Sequence, residues 1–271
     1  MPNLMYYNAY SNNFGDEISP IVSEHCLKNK SQCLSLLYDI NMNSINWKNK
    51  IKIYENNMSA IGSIYHLLPT KCTIWGTGCV KRYCTNIKKK NWDVRCTRGP
   101  LSRDVVIQTY KCKAPYLYGD PGVLISDVPE FKSQKYVKKR HIGLIPHFND
   151  IQYAKETWGS YEIMEPTNNY KEVIKFINES EIIATSSLHG IIVSESFGVP
   201  IFWLGKNAPS QKSEGGVFKY QDYFLSTQRD FSNGPCLNVK TAMKDNLYCN
   251  YDSIQKLKQT LYSTFPYDIF A

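Results

Sequence analysis

The chain has 271 residues, of which 42% are apolar and 21% charged, and a formal net charge of +8. That length and composition suit one large or two modest α/β domains and exclude an intrinsically disordered tail. No apolar run reaches the roughly 18 residues of a spanning helix, and the start, Met1-Pro2-Asn3-Leu4-Met5, lacks the basic-then-apolar order of a signal peptide, so a cytoplasmic protein is expected.

Residues 4–10 form a short apolar and aromatic run that reads as the first strand. The polar loop Asn12-Asn13-Phe14-Gly15-Asp16-Glu17 follows, and a helix is expected to open at Ile18-Ser19-Pro20-Ile21-Val22, with proline in its first turn. Loop, acid and helix start in that order can bind phosphate or hydroxyl groups. Asp16 is therefore a candidate catalytic group, although the same place suits a helix cap. Residues 51–54 read as a strand, and residues 61–68 as a loop or short helix before Pro69. Residues 72–75 read as a buried strand ending in Gly76-Thr77-Gly78. No third glycine follows at dinucleotide spacing, but Gly76 and Gly78 would let a ligand approach the backbone closely.

Residues 71–113 hold eleven Lys or Arg against two acids, a local charge of +9. Such a field attracts anions: a phosphorylated small molecule, a lipid-diphosphate carrier or nucleic acid. No helix-turn-helix, RNP or zinc-finger pattern accompanies it, so nucleic acid is not expected as a partner. The nine cysteines are odd in number and form no CxxC pair, which fits reduced thiols. Cys72, Cys79, Cys84 and Cys96 match no common zinc spacing, and no metal is expected.

A strand over 94–97 delivers Arg98 to a Gly-Pro turn, and a helix is expected to start near Ser102. Arg98 is then placed to hold a carboxylate or phosphate, or to form a structural ion pair. Tyr118-Gly119-Asp120-Pro121-Gly122-Val123-Leu124-Ile125 reads as a strand end and turn. Residues 127–140 are polar and charged and read as a linker. They divide the chain into residues 1–135 and residues 136–271.

The second half opens with a strand at His141-Ile142-Gly143-Leu144-Ile145, with His147 just past its carboxyl end. Glu162-Ile163-Met164 is the next strand. Tyr170, Val173, Ile174 and Ile177 have helical spacing, with Thr167 or Asn168 as cap. Ile182-Ile183-Ala184 then begins a βαβ unit. Ser186-Ser187-Leu188-His189-Gly190 joins strand to helix, and Gly198 and Pro200 end the helix before a strand at 201–204. His189 thus sits at the strand edge where open α/β sheets bind ligands. Residues 206–236 read as a loop region. Ile254, Leu257 and Leu261 mark a terminal helix capped by Asp252 or Ser253.

These pieces together resemble the polysaccharide pyruvyl transferase family. The resemblance is carried by Asn13-Phe14-Gly15-Asp16-Glu17, Gly76-Thr77-Gly78, Arg98-Gly99-Pro100-Leu101-Ser102, Gly119-Asp120-Pro121-Gly122-Val123-Leu124, Ile145-Pro146-His147, Ser186-Ser187-Leu188-His189-Gly190 and Glu195-Ser196-Phe197-Gly198-Val199-Pro200, which fall in family order. It implies two Rossmann-like domains arranged as in GT-B glycosyltransferases, with a cleft between them. The first domain would face the acceptor and the second the donor. It also implies transfer of pyruvate from phosphoenolpyruvate to two hydroxyls of one sugar, giving a cyclic ketal, with no cofactor. The acceptor would belong to a capsule, an exopolysaccharide or a cell-wall glycan, often on a lipid-diphosphate carrier. That carrier would bring the protein to the inner membrane surface.

Under this resemblance His189 is the leading group for phosphate contact or acid catalysis, and Asp16 or His147 the base. Arg98, Ser102, Gly76, Gly78 and Gly190 with its helix N-terminus would surround the anionic donor. Many members carry Arg where this chain has Ser187, so one donor contact must come from elsewhere or the donor site is altered. A nucleotide-sugar glycosyltransferase using Glu195 on a ribose, and a non-catalytic glycan- or anion-binding protein, are the alternatives.

Overall fold

Apolar runs too short for helices, each bounded by Gly, Ser or Asn, fold as parallel strands in two sheets. The computed structural model describes residues 3–6, 13–28, 36–37, 57–80, 89–213, 216–229, 234–242 and 251–270. The first sheet contains β1 (Asn3–Tyr6), β2 (Leu36–Leu37), β3 (Asn57–Ser59), β4 (Lys71–Trp75) and β5 (Asn91–Cys96), in the order β2-β1-β3-β4-β5. The second contains β6 (Arg140–Ile145), β7 (Glu162–Ile163), β8 (Ser180–Thr185) and β9 (Ile201–Trp203), in the order β7-β6-β8-β9. Every pairing between these strands is parallel. The α/β class expected from the sequence is thus the one observed. The strand expected at 51–54 and Cys84 lie outside the described residues.

In each sheet the first strand lies between the second and the third. The chain therefore winds outward both ways from β1/β3 and from β6/β8. Loops diverge at the carboxyl ends of such strand pairs and leave a crevice.

Helix α1 (Phe14–Lys28) starts four residues before the expected Ile18. The Asn13 side chain accepts from Gly15 N at 3.0 Å, and its carbonyl accepts from Asp16 N and Glu17 N at 2.9 and 3.1 Å. That cap draws Asp16 into the first turn and moves Pro20 into the second. Helix α2 (Pro100–Gln108) begins beside Ser102 as expected, with Pro100 at its first position. The run Val123-Leu124-Ile125 is not a strand end. It lies in a 3-10 turn, Pro121–Asp127, capped by Asp120 Oδ1 accepting from Gly122 N at 2.9 Å. Helix α3 (Pro129–Lys132) interrupts the expected linker.

The second half adds α4 (Ile151–Trp158), α5 (Tyr170–Asn178) and α6 (Leu188–Ser196). The cap of α5 is Asn169, whose Oδ1 accepts from Lys171 N at 2.9 Å, rather than Thr167 or Asn168. Residues 206–236 are not all loop. They contain α7 (Pro209–Lys212) and α8 (Phe218–Ser226). Tyr220, Tyr223 and Phe224 are buried at helical spacing and Phe218 is buried in a separate cluster, and this burial outweighs the local Gly, Ser and Asn content. Short α9 (Val239–Ala242) and long α10 (Tyr251–Thr264) complete the chain.

One apolar core joins the two sheets. Phe14, Ile18 and Val22 of α1 belong to the same buried cluster as Val173, Ile177, Ile191 and Ile192 of α5 and α6. Phe14 N donates to Pro166 O at 2.9 Å at the entry to this packing. Helix α10 returns to the first sheet. Trp75 Nε1 donates to Leu261 O at 3.0 Å, and the Trp75 and Phe265 rings meet edge-on at 4.8 Å. No helix among the described residues is long and apolar enough to cross a membrane.

Candidate active site

The two crevices left by the strand order share one cavity of about 350 Å³. Its walls come from the segments that follow five strands: Asp16 after β1, Ser63 after β3, Val80 after β4, His147 after β6, and Ser187 with His189 after β8. Lys219, from α8, completes it. Asp16, His147, Ser187 and His189, four of the residues singled out from the sequence, are brought together here.

His189 is held from the opposite half of the fold. Asn13 Oδ1 lies 3.4 Å from its Nδ1, and the Phe14 ring meets it edge-on at 6.3 Å. Asn13 Oδ1 already accepts from Gly15 N, so it is an acceptor, and Nδ1 carries the ring proton toward it. Nε2 is left as the basic nitrogen. A Cβ on Gly15 would come within 1.9 Å of the imidazole. Glycine is thus required where α1 starts, because the ring lies against its backbone.

Ser187 caps α6, its Oγ accepting from Gly190 N at 3.3 Å. Ser187 thus serves as the cap and, with Leu188 and His189 of the first turn of this nine-residue helix, lines the cavity. Gly190 packs on Thr185, whose Oγ1 would lie 2.3 Å from an added Cβ.

His147 and Lys219 form a pair. His147 Nδ1 accepts from Asn149 N at 3.1 Å, which leaves the proton of the neutral ring on Nε2. Nε2 lies 2.9 Å from Lys219 Nζ. A hydrogen bond there needs a neutral amine, or a shift of the ring proton to Nδ1 at the expense of the Asn149 bond. The two groups therefore handle protons as one unit. Burial, then the charge of Lys219, then His189, pulls His147 down to about 3. Burial, Lys219 and Arg98 likewise pull His189 down to about 3. Burial and Arg98 bring Lys219 down to about 8, against the opposing pull of Asp16 and Asp150. The site thus holds two neutral imidazoles and a weakened ammonium beside Asp16.

A buried carboxylate fixes this arrangement. Asp150 accepts from Ser186 Oγ at 2.8 Å, and from Ser210 N and Oγ at 2.7 and 2.5 Å. Ser186 Oγ in turn accepts from His147 N at 2.9 Å. Tyr220, beside Lys219, donates to Ser186 O at 2.6 Å.

The other residues singled out lie behind the wall. Arg98 is 1% exposed, and its Nε donates to Asp222 Oδ2 at 2.9 Å. Its other nitrogens donate to Ser63 Oγ at 2.5 Å and Cys79 O at 2.8 Å. Ser102 N and Oγ also donate to Asp222, at 2.8 and 2.5 Å. Gly78 lies against the guanidinium, 2.3 Å from an added Cβ, and Gly76, at φ +82°, lies equally close to Pro121. Glu195 pairs with Arg229 and accepts from Tyr223 OH at 2.7 Å, tying α6 to α8. Other cations of the basic segment are engaged away from the cavity: Arg95 with Asp93 and Asp268, and Lys90 with Leu68 O.

Lys219 was not found from the sequence. Its signal was the helical spacing of Tyr220, Tyr223 and Phe224, masked by the composition around it.

The family model for polysaccharide pyruvyl transferase matches residues 13–206. Succinoglycan biosynthesis protein ExoV of Rhizobium meliloti is 32% identical over 141 residues, which span 49% of this chain and 40% of that protein. Uncharacterized protein L143 of Acanthamoeba polyphaga mimivirus is 24% identical over 260 residues, 92% of this chain and 84% of that protein. Among solved structures, the uncharacterized protein KP1_0663 from Klebsiella pneumoniae superposes with a TM-score of 0.48 at 11% identity, covering 88% of this chain and 92% of that one. The wall teichoic acid polymerase TagF superposes with a TM-score of 0.46 at 11% identity, covering 98% and 83%. The family match takes in the cap of α1, both glycine turns, the His147 loop and the whole β8–α6–β9 unit, and stops short of Lys219. The chain belongs to the polysaccharide pyruvyl transferase family.

Proposed function

We propose that the protein transfers pyruvate from phosphoenolpyruvate to two hydroxyls of an acceptor sugar. The observation that carries this reading is the convergence of Lys219, His147, His189 and the α6 N-terminus on one cavity, opposite Asp16. A small molecule bearing both phosphate and carboxylate needs several cationic or amide donors close together. Lys219 supplies the cation that Ser187 does not. The family membership and the part that the Rhizobium relative takes in succinoglycan biosynthesis support an exopolysaccharide-type acceptor.

The reaction balances as follows. The methylene carbon of phosphoenolpyruvate takes a proton from the Lys219–His147 pair. One sugar hydroxyl attacks C2 and loses its proton, which restores the pair. The C2–O bond to phosphate breaks, and the second hydroxyl attacks C2, closing the ketal. Its proton leaves with phosphate. Asp16 takes the proton of the first hydroxyl as it attacks and passes it on to the pair, and His189 with the α6 amides holds the departing phosphate. General acid–base groups so placed contribute about 10²–10⁴-fold each. In this reading the sheets form a GT-B-like pair, with acceptor on residues 1–135 and donor on residues 136–271. Glu195 is engaged with Arg229, so no observation favours the ribose contact of a nucleotide-sugar enzyme.

The test is phosphate release from phosphoenolpyruvate, screened over lipid-diphosphate sugars. Wild type is expected to turn over, and Lys219→Ala and His189→Asn to lose at least about 100-fold. Wild-type-like turnover in either variant overturns the site. Stabilisation by nucleotide sugars instead of phosphoenolpyruvate overturns the reaction.

A further inference from the structure

A second pocket, of about 150 Å³, opens on the surface beside the end of α8. Tyr116 and Tyr118 form one wall, Ser226 and Gln228 the second, and Ser253 and Lys256 of α10 the third.

Tyr116 is built as a platform. The Arg103 guanidinium lies 3.5 Å from its ring centroid, and Arg103 Nε is anchored on Ala114 O and Pro115 O at 3.1 and 3.2 Å. One face of the ring is thereby fixed. The side chain is 77% exposed, so the opposite face is open.

The second wall is held in an uncommon conformation. Gln228 has φ +58°, in the left-handed region, with its N–H donating to Leu225 O at 3.1 Å. This is the left-handed turn that closes α8: Arg229 N also donates to Phe224 O at 3.0 Å, so the helix end itself sets the backbone at Gln228. The Tyr116 and Tyr118 hydroxyls, the Gln228 amide, Ser253 Oγ and Lys256 Nζ line this space without a hydrogen bond or ion pair among the described residues.

An anchored aromatic face ringed by neutral donors and acceptors matches a sugar, which presents C–H groups on its faces and hydroxyls around its edge. A phosphate-bearing ligand would call for a cluster of cations or helix amides, whereas this pocket offers a single ammonium. Helix α8 carries Lys219 at the cavity and Ser226 at this pocket, seven residues or roughly 10 Å apart along its axis. We propose that this pocket is a carbohydrate subsite, holding a saccharide unit of the acceptor chain away from the reacting sugar. The identity of that chain rests on the pyruvyl-transfer reading.

The experiment is saturation-transfer NMR and calorimetry on the full chain with β-linked glucan, galactan and mannan hexasaccharides, without phosphoenolpyruvate. At least one hexasaccharide is expected to bind wild type, with roughly tenfold weakening in Tyr116→Ala and in Lys256→Ala. Circular dichroism controls for the fold. His189→Asn is expected to lose phosphoenolpyruvate binding and keep the hexasaccharide. Equal binding by wild type and both surface variants, or no binding across the panel, overturns the subsite. Tyr116-dependent glycan binding in a protein that releases no phosphate from phosphoenolpyruvate leaves the subsite standing and removes the transferase reading.

Discussion

At the scale of single residues, the closest fit in the site is between Gly15 and His189. Because an added Cβ would meet the imidazole at 1.9 Å, Gly15→Ala must push the ring or the start of α1 aside. Displacements of about 1 Å at a reacting group can cost on the order of 100-fold. We expect that loss in phosphate release, with the circular dichroism spectrum unchanged. Arg98 leads to a different expectation. Its partner Asp222 has no exposed surface, so Arg98→Ala leaves a buried carboxylate unpaired. Removing one member of such a pair costs about 3–5 kcal/mol, measurable as a lowered urea midpoint. Arg98→Ala combined with Asp222→Ala should cost less than the two changes summed. The sequence left Arg98 open between anion contact and ion pair. The partner that decides it lies 124 positions away, and no local pattern announces a contact of that separation.

At the scale of elements, the chemistry rests on what two helices bring to the ends of strands. Helix α6 was legible in full: an apolar strand, a serine cap, a glycine stop and a proline place His189 by local rules alone. Helix α8 was not, because its apolar spacing lies within a stretch whose composition resembles loop. His147 and His189 are both neutral in the folded site, with pKa values near 3. In the unfolded chain each titrates near the ordinary value of 6.5. Between pH 6.5 and 3 the unfolded state therefore binds more protons, so stability is fully present above pH 6.5 and falls as pH drops through that window. The slope is at most about 1.4 kcal/mol per pH unit for each ring. Denaturant midpoints between pH 7.5 and 4.5 should fall less steeply in His147→Gln and His189→Gln than in wild type. Binding works in the opposite sense. An anion in the cavity favours the charged forms of both rings, so phosphoenolpyruvate should bind with proton uptake, seen as a buffer-dependent heat in calorimetry. Failure to take up protons would place the donor elsewhere.

At the scale of the whole molecule, the α/β class and the positions of most strands could be read from short apolar runs and their turn residues. The exchange of helices between the sheets could not. Helix α10 lies last in the chain yet packs on the first sheet through Leu261 and Trp75. Leu261→Ala removes a fully buried side chain and should cost about 2–5 kcal/mol. Its effect should appear first as faster hydrogen exchange in β4 and β5. Faster exchange confined to β8 and β9 would contradict that packing.

Helix α1 has a larger consequence. It follows the first strand, yet its apolar face lies in one buried cluster with α5 and α6. Cutting the chain in the middle would strip that face from one fragment and expose its counterpart on the other. Neither fragment would hold a closed interior, and each would be prone to aggregate. Heating the intact chain should therefore give a single calorimetric peak, with its van't Hoff and calorimetric enthalpies equal. Two separate peaks would mean that α1 belongs energetically to only one of the sheets it touches. A molecule that melts in one step cannot be tuned one half at a time: a stabilising change in the second sheet would also reach the first.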